Sequence, residues 1–159
     1  MGLGIEHLSP ASVAAPIKNY RNQGGWGTQA LKYIVEKGIV PAKHWPANAI
    51  DEDYYTEENL ERAKDYIVTE WYDLKSGDFE QTMTCLLLRI PVAVGYNWWR
   101  HEVSAIDPIS LGGGEYGIRI RNSWGMHYGK DGYAVLAEGK GTPDDAVAPR
   151  VTIAHPHKA

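Results

Sequence analysis

The stretch YNWWRHEVSAIDPISLGGGEYGIRIRNSWGMHYGKDGY (residues 96–133) decides the fold of this chain. Two short apolar segments rich in β-branched residues flank three consecutive glycines. This is the pattern of an antiparallel β-hairpin with a tight, glycine-rich connection. The polar and aromatic residues at its two outer ends are therefore expected to come together at the open end of the hairpin.

The register of this hairpin predicts a pair of polar side chains. If Asp107 faces Tyr116, then His101 lies opposite Asn122, with their Cβ atoms about 4.5–5.5 Å apart. A histidine that acts as a general base needs one ring nitrogen free and the other held by an acceptor. An asparagine side-chain oxygen is such an acceptor, and Cys-His-Asn is a known form of the nucleophile triad. The alternative is a hairpin whose open end is merely polar.

The residues that follow Asn122 form a recognisable motif. Residues 122–125 are Asn-Ser-Trp-Gly, followed by Tyr-Gly at 128–129 and Gly-Tyr at 132–133. This order and spacing resemble the Asn-Ser-Trp-Gly signature of papain-like cysteine peptidases, with Tyr128 where the family usually has a second Trp. The resemblance implies an α+β fold in which N-terminal helices precede an antiparallel, barrel-like β-sheet.

The resemblance also implies roles for three residues. His101 would be the catalytic base, Asn122 would orient it, and Trp124 would shield their hydrogen bond from water. The implied activity is hydrolysis of peptide bonds by a Cys-His-Asn mechanism, without a cofactor.

A second motif precedes the hairpin. Residues 21–27 are Arg-Asn-Gln-Gly-Gly-Trp-Gly, which predicts a loop, and residues 28–37 have helical spacing before Gly38, a suitable C-cap. Papain-like enzymes share a Gly-Gly-aromatic loop followed by an Ala-Leu helix. By resemblance, Gly25 would bind an extended substrate through its backbone and Trp26 would form a wall of the main specificity pocket. The alternative is a glycine-rich lead-in to a helix, with a core tryptophan.

A different alignment of this loop is rejected. Residues 21–24 also resemble the family's lead-in to its catalytic cysteine, which would place Gln29 at the nucleophile position. An amide cannot attack a carbonyl carbon. Moreover, Gln29 lies 72 residues before His101, whereas the family separates its cysteine and histidine by roughly 130–150 residues.

The remaining elements are predicted from spacing. A helix is expected from Thr56 to Trp71, with a second beginning at Asp78. Strands are expected at 90–96 and 132–138, and a turn-rich tail at 139–159.

Cys85 is the only cysteine, so no intrachain disulfide can form. This mildly favours a reducing compartment or a virion. Cys85 lies among apolar residues of the helix that begins at Asp78, where a thiol is usually buried and inert. The sequence therefore predicts no nucleophile in this chain.

The resemblance covers roughly residues 8–138 and lacks the family's oxyanion Gln, its nucleophilic Cys and the helix that carries it. We expect residues 1–159 to be a single papain-like domain truncated at its N-terminus. Its parts would be a mainly helical region (8–75), a helix with the sheet (76–138) and a tail (139–159). The chain is also similar to proteins encoded by tailed phages.

Composition excludes several other functions. A net charge of −4 gives no basic field for nucleic acid. The first residues lack a basic region followed by an apolar core, so we expect no secretory signal, and no apolar run approaches the roughly 20 residues that span a bilayer. His155 and His157 do not make a metal site by themselves.

Three hypotheses remain open. The chain is part of a papain-like peptidase whose nucleophile lies in an upstream fragment, or an inactive pseudopeptidase that binds extended peptides, or a structural or assembly protein, such as one of a virion, that reuses the fold. Because the missing helix would leave apolar surface open, we also expect the chain to bind such a fragment, to form a homo-oligomer, or to remain a loose monomer.

Overall fold

The computed structural model describes residues 6–154, with side chains to residue 152. Its helices are Ala11–Ile17 (α1), Gly27–Lys37 (α2), Glu57–Ala63 (α3), Phe79–Leu87 (α4) and the short Glu138–Gly141 (α5), with a 3-10 turn at Glu52–Tyr54. Its strands are Tyr66–Asp73 (β1), Val92–Tyr96 (β2), His101–Gly112 (β3), Glu115–Arg121 (β4), Tyr133–Ala137 (β5) and Asp145–Ala154 (β6).

The chain divides into two compact units. One holds the residues up to Glu70 together with those from Val151 onward, and the other is Trp71–Arg150. The first contains α1, α2 and α3, whereas the second contains α4, α5 and most of the sheet.

The first unit is built around a small apolar core. Trp45 is fully buried, stacks on Tyr54 and donates its indole N–H to the Ala49 carbonyl at 2.7 Å. The helix α2 ends where predicted, at Gly38, whose φ of 81° and close approach to the Ala63 carbonyl exclude a side chain. The buried residues of this core are Ala11, Ala15, Val40, Trp45 and Ala63.

In the second unit, α4 packs against the central strands. Asp78 caps the helix by accepting a hydrogen bond from the Gln81 N–H at 3.0 Å, as its position predicts. The core that results includes Phe79, Leu86, Val92, Val94, Val103, Ala105, Ile118 and Ile120.

The strand order of the sheet is β1-β6-β2-β3-β4-β5, and the pairs from β6 to β5 are antiparallel. The predicted α+β class, with helices followed by an antiparallel sheet, is confirmed. The sheet is open rather than barrel-like in the described residues, since β1 and β5 lie at its two ends.

Two predicted elements, a helix and the C-terminal tail, differ from the structure. The helix expected from Thr56 to Trp71 ends at Ala63, and β1 begins at Tyr66. Its apolar spacing fits a helix, but the aromatic and β-branched run that starts at Tyr66 favours a strand.

The tail from residue 139 also differs from its prediction, because it forms part of α5 and then β6. Ala146, Val147 and Ala148 are at most 1% exposed. Alanine and proline have low strand propensity, so pairing with β2 decides this structure. His155 and His157 lie outside the described residues.

Candidate active site

The hairpin of β3 and β4 turns at Gly113 and Gly114, which have φ values of 60° and 85°. Positive φ at both central residues is the type I′ geometry that a two-residue hairpin favours. The predicted register was wrong, because Asp107 pairs with Arg119 rather than with Tyr116. The reason is that the β3–β4 pairing shifts at two places.

These two shifts bring Asn122 toward His101. One occurs between Ala105 and Asp107, and the other between Ser110 and Gly112. Continued from the pair Ser104–Arg121, the register places Asn122 beside Val103, on the same face as His101 because strand side chains alternate. An unshifted register from the turn would place Asn122 beside Ala105. The bulges therefore move Asn122 two residues closer to His101, a use of bulges that is common beside functional sites.

The predicted contact between the two side chains is present. His101 Nε2 lies 2.8 Å from Asn122 Oδ1. Since the amide oxygen can only accept, the hydrogen lies on Nε2, and Nδ1 is left able to take a proton. Asn122 is 5% exposed, and its Nδ2 has no hydrogen-bond partner within the described residues. The pair thus has the tautomer that a general base requires.

Aromatic rings hold the imidazole on two sides. Trp124 stacks on His101 with a centroid distance of 4.7 Å and an interplanar angle of 25°. It remains 57% exposed, so it covers the imidazole on the solvent side. Trp99 contacts the same ring edge-on at 5.0 Å and 71°. This role of Trp99 was not predicted from the sequence, although the aromatic pair Trp98-Trp99 closely precedes His101.

The motif's glycines shape the loop from Asn122 to Tyr133. The Asn122 N–H donates to the Gly132 carbonyl at 3.0 Å, which closes the loop onto its own start. Gly129 has a φ of 51°, and a Cβ there would lie 2.1 Å from the Tyr133 carbonyl oxygen. A side chain at residue 129 would therefore open the loop that presents Asn122 and Trp124.

Gly25 and Trp26 lie in the first compact unit, whereas His101, Asn122 and Trp124 lie in the second. Trp26 is at the N-cap of α2 and is 58% exposed, so it is not a core tryptophan. A Cβ on Gly25 would meet only the side chain of Lys18, 2.9 Å from its Cε. The substrate-binding roles of Gly25 and Trp26 stay predictions.

Cys85 is buried in α4 and packs in the core with Leu86. Burial raises the pKa of its thiol, which disfavours the thiolate. The cavity that Cys85 lines, about 570 Å³ in volume, is bordered by residues such as Tyr72, Thr84 and Arg150, but not by His101 or Asn122.

The described residues contain neither a metal-binding cluster nor a membrane-spanning helix. No group of three or more His, Cys, Asp and Glu side chains in residues 6–154 is placed to hold a metal ion. In the same part of the chain, every helix is too short or too polar to cross a membrane.

The fold is that of the papain-like cysteine peptidases. Solved structures with this fold include procathepsin L 3 of the Tenebrio molitor larval midgut, with a TM-score of 0.75, 23% identity and coverage of 93% of this chain and 57% of that one. The bromelain protease of Ananas comosus has a TM-score of 0.73 and 20% identity, with coverage of 93% of this chain and 80% of that one.

Sequence comparison agrees with the fold. The chain is 28% identical to cathepsin L 1 of Paramecium tetraurelia over 79% of its length and 42% of that protein. It is 24% identical to cathepsin S of Rattus norvegicus over 86% of its length and 47% of that protein. No family profile matches the chain. The chain is a homologue of papain-like cysteine peptidases and spans about half the length of these curated relatives.

Proposed function

We propose that this chain supplies the general-base part of a papain-like thiol peptidase site. The observation that carries the proposal is the 2.8 Å contact between His101 Nε2 and Asn122 Oδ1. This contact holds the proton on Nε2 and leaves Nδ1 as the base. Asn122 orients the imidazole, and Trp124 covers one of its faces.

The chemistry follows from a Cys-His-Asn triad. His101 Nδ1 takes the thiol proton, the thiolate adds to the peptide carbonyl carbon, and the imidazolium returns the proton to the departing amine. Water, deprotonated by the same imidazole, then attacks the thioester carbonyl carbon. The C–S bond breaks, the acyl group leaves as a carboxylic acid, and the imidazolium returns its proton to the thiolate. No metal or cofactor enters this scheme.

We propose that the thiol comes from a cysteine other than Cys85. A catalytic cysteine needs a lowered pKa, whereas burial raises the pKa of Cys85. The curated relatives extend well beyond the part that this chain matches. In this proposal, the cysteine lies in an upstream segment or fragment that binds this chain. The alternative partner is a second copy of the chain, which would cover the site in a homo-oligomer.

The proposed substrate is an extended peptide or protein segment. By resemblance, Gly25 would bind its backbone and Trp26 would contact a side chain. Two features support this assignment: the indole of Trp26 is 58% exposed, and the space above Gly25 is limited only by the side chain of Lys18. A long, flexible side chain such as that of lysine moves aside readily.

A second candidate function is peptide binding without cleavage. The observation that favours it is that the chain's one cysteine is buried in the core. Such a pseudopeptidase would bind the peptide through Gly25 and Trp26, without chemistry at His101. A structural or assembly role, as in a virion, would require neither binding nor turnover.

The test compares turnover and binding. The chain is assayed on a fluorogenic peptide library alone and together with the product of the coding sequence that precedes it, with a His101→Ala variant as the matched control. Turnover that appears only with the upstream product and disappears in the variant supports the peptidase. Binding by fluorescence anisotropy without turnover in either format supports the pseudopeptidase. Absence of both overturns the peptidase and pseudopeptidase proposals and leaves the structural role.

A further inference from the structure

Trp99 lies in the short connection that leads from β2 into His101. Tyr96 and His101 face each other as the last pair of the β2–β3 ladder, so residues 97–100 form the loop. The Tyr96 carbonyl accepts hydrogen bonds from the N–H groups of Trp99, at 3.2 Å, and Arg100, at 2.7 Å. Arg100 has a φ of 53°, an unusual conformation for a non-glycine residue. This geometry folds the loop back beside the imidazole.

The imidazole of His101 meets three groups of the second unit. Asn122 Oδ1 holds Nε2, Trp124 stacks on the ring, and Trp99 approaches it edge-on. The two indoles also contact each other, at 5.5 Å and 84°. A single hydrogen bond at Nε2 leaves the ring free to tilt about that contact. The two indoles limit this tilt because they contact the imidazole at its face and at its edge.

Trp99 is itself held firmly. Trp98 stacks on it at 5.3 Å and 8°, and Tyr128 stacks on it at 6.1 Å and 28°. Trp99 is partly buried and packs against the core cluster of the second unit. A ring that is fixed by its own neighbours can fix the ring beside it, whereas an exposed, mobile ring could not.

We propose that Trp99 is a positioning residue for His101, which keeps the imidazole in the orientation where Nε2 donates to Asn122 and Nδ1 stays free. The proposal rests on the proposed role of His101 as general base. Trp99 lies outside the Asn-Ser-Trp-Gly segment, in the loop before β3, and it contacts both His101 and Trp124. Its loss would release the ring without removing any hydrogen-bonding group of the pair.

The test observes the ring nitrogens directly. The full chain is labelled with [15N]histidine, and long-range 1H–15N spectra at neutral pH report the tautomer of each imidazole. A His101→Gln variant assigns the His101 signals among the six histidines of the chain. We expect one dominant Nε2–H tautomer in the wild type. In Trp99→Ala we expect a mixture of tautomers or exchange-broadened signals.

Three further variants separate positioning from a purely structural effect. Trp99→Phe keeps an aromatic edge and should retain the wild-type signals, whereas Trp99→Leu keeps apolar volume without the edge and should behave like Trp99→Ala. Trp98→Ala removes a ring that stacks on Trp99 but has no ring contact with His101 among the described aromatic pairs, so it should disturb the His101 signals less than Trp99→Ala does. Thermal unfolding identifies which variants are folded. If Trp99→Ala is unfolded, Trp99→Leu provides the test instead.

The outcomes separate this inference from the proposed function. A folded Trp99→Ala or Trp99→Leu variant with an unchanged His101 spectrum overturns the positioning role. Equal disturbance in Trp98→Ala also overturns it, because the loop rather than the Trp99 contact would then be responsible. A wild type that lacks the Nε2–H tautomer would instead contradict the general-base geometry on which the proposed function depends.

Discussion

Asn122 lies one residue beyond the end of β4, yet its Oδ1 is 2.8 Å from Nε2 of His101 on β3. The strand pairing does not align the two residues directly, and the bulges at the pairing shifts bring them together diagonally. The same arrangement buries the Asn122 amide nitrogen without a partner within the described residues. The pair therefore contributes one favourable hydrogen bond, but it also buries one donor without a partner, which is unfavourable.

This combination predicts that Asn122→Ala changes stability little. The variant loses one hydrogen bond, about 0.5–1.5 kcal/mol, but also removes an unsatisfied buried donor, which costs about 1–3 kcal/mol. We expect the free energy of unfolding to change by less than about 1 kcal/mol in urea denaturation, once the cavity left by the side chain is included. Ile120→Ala, at a fully buried site of β4, is the control and should lose about 2–5 kcal/mol. Equal losses in the two variants would contradict the prediction.

Gly38 provides a second prediction, on the first unit. Gly38→Ala should lower the free energy of unfolding by more than about 1 kcal/mol, since φ is 81° and the new Cβ would lie 1.9 Å from the Ala63 carbonyl oxygen. Gly24→Ala is the matched control, because a Cβ there meets nothing within 4 Å. It should change stability by about 1 kcal/mol or less. Chemical denaturation followed by circular dichroism measures both, and a harmless Gly38→Ala would show that α2 does not need its glycine cap.

Local signals in the sequence were sufficient for several elements. The end of α2 was predictable because Gly38 supplies a backbone conformation that other residues avoid. The β3–β4 hairpin and the start of α4 were predictable for the same kind of reason, since the glycine turn and the Asp78 cap act within a few residues. The Asn-Ser-Trp-Gly segment was recognisable from the order and spacing of residues 122–133, and the glycines at 125, 129 and 132 adopt positive φ values.

Features that depend on distant partners were not predictable. The register of the hairpin was missed because bulges leave no clear mark in a single sequence. The strand β6 was missed because its Ala-rich segment becomes a strand only by pairing with β2. Trp99 was missed because its contact with His101 follows from how the loop after β2 folds. Each failure belongs to tertiary structure rather than to local propensity.

Glu102 predicts a pH dependence of stability. It pairs with Gly95, which also pairs with Asp145, so two carboxylates flank a residue without a side chain. Partial desolvation, although the residue is exposed overall, and then Asp145 raise the pKa of Glu102, whereas His101 lowers it. The folded state thus binds the proton more tightly than the unfolded state. The stability that this provides is complete below the ordinary pKa of Glu and is lost as pH rises through the raised folded value.

Glu102→Gln should therefore be more stable than the wild type at pH 7, and the difference should vanish below about pH 4. Glu58→Gln is a control of opposite sign, because a hydrogen bond from Arg62 lowers the pKa of Glu58. That variant should be slightly less stable than the wild type at pH 7 and equal to it at low pH. Melting temperatures from pH 3 to pH 8 measure both differences. A gain for Glu102→Gln that persists at pH 3 would mean that the carboxylate charge is not its source.

The last prediction concerns Cys85, the chain's one thiol. A papain-like nucleophile is a thiolate held by a neighbouring imidazolium. Cys85 is instead 8% exposed in the core beside Leu86, and burial raises its pKa.

We expect iodoacetamide to alkylate Cys85 in the native chain at pH 7.5 at least about tenfold more slowly than in urea. Peptidyl thiol inhibitors should leave it unlabelled in the native state, and His101→Ala should not alter either rate. Mass spectrometry of the intact chain measures the labelled fraction over time, with the unfolded chain as the control for complete reaction. Rapid, stoichiometric labelling of native Cys85 that is lost in His101→Ala would contradict this, since it would require α4 to present its thiol to the imidazole. The source of the nucleophile would then be this chain itself.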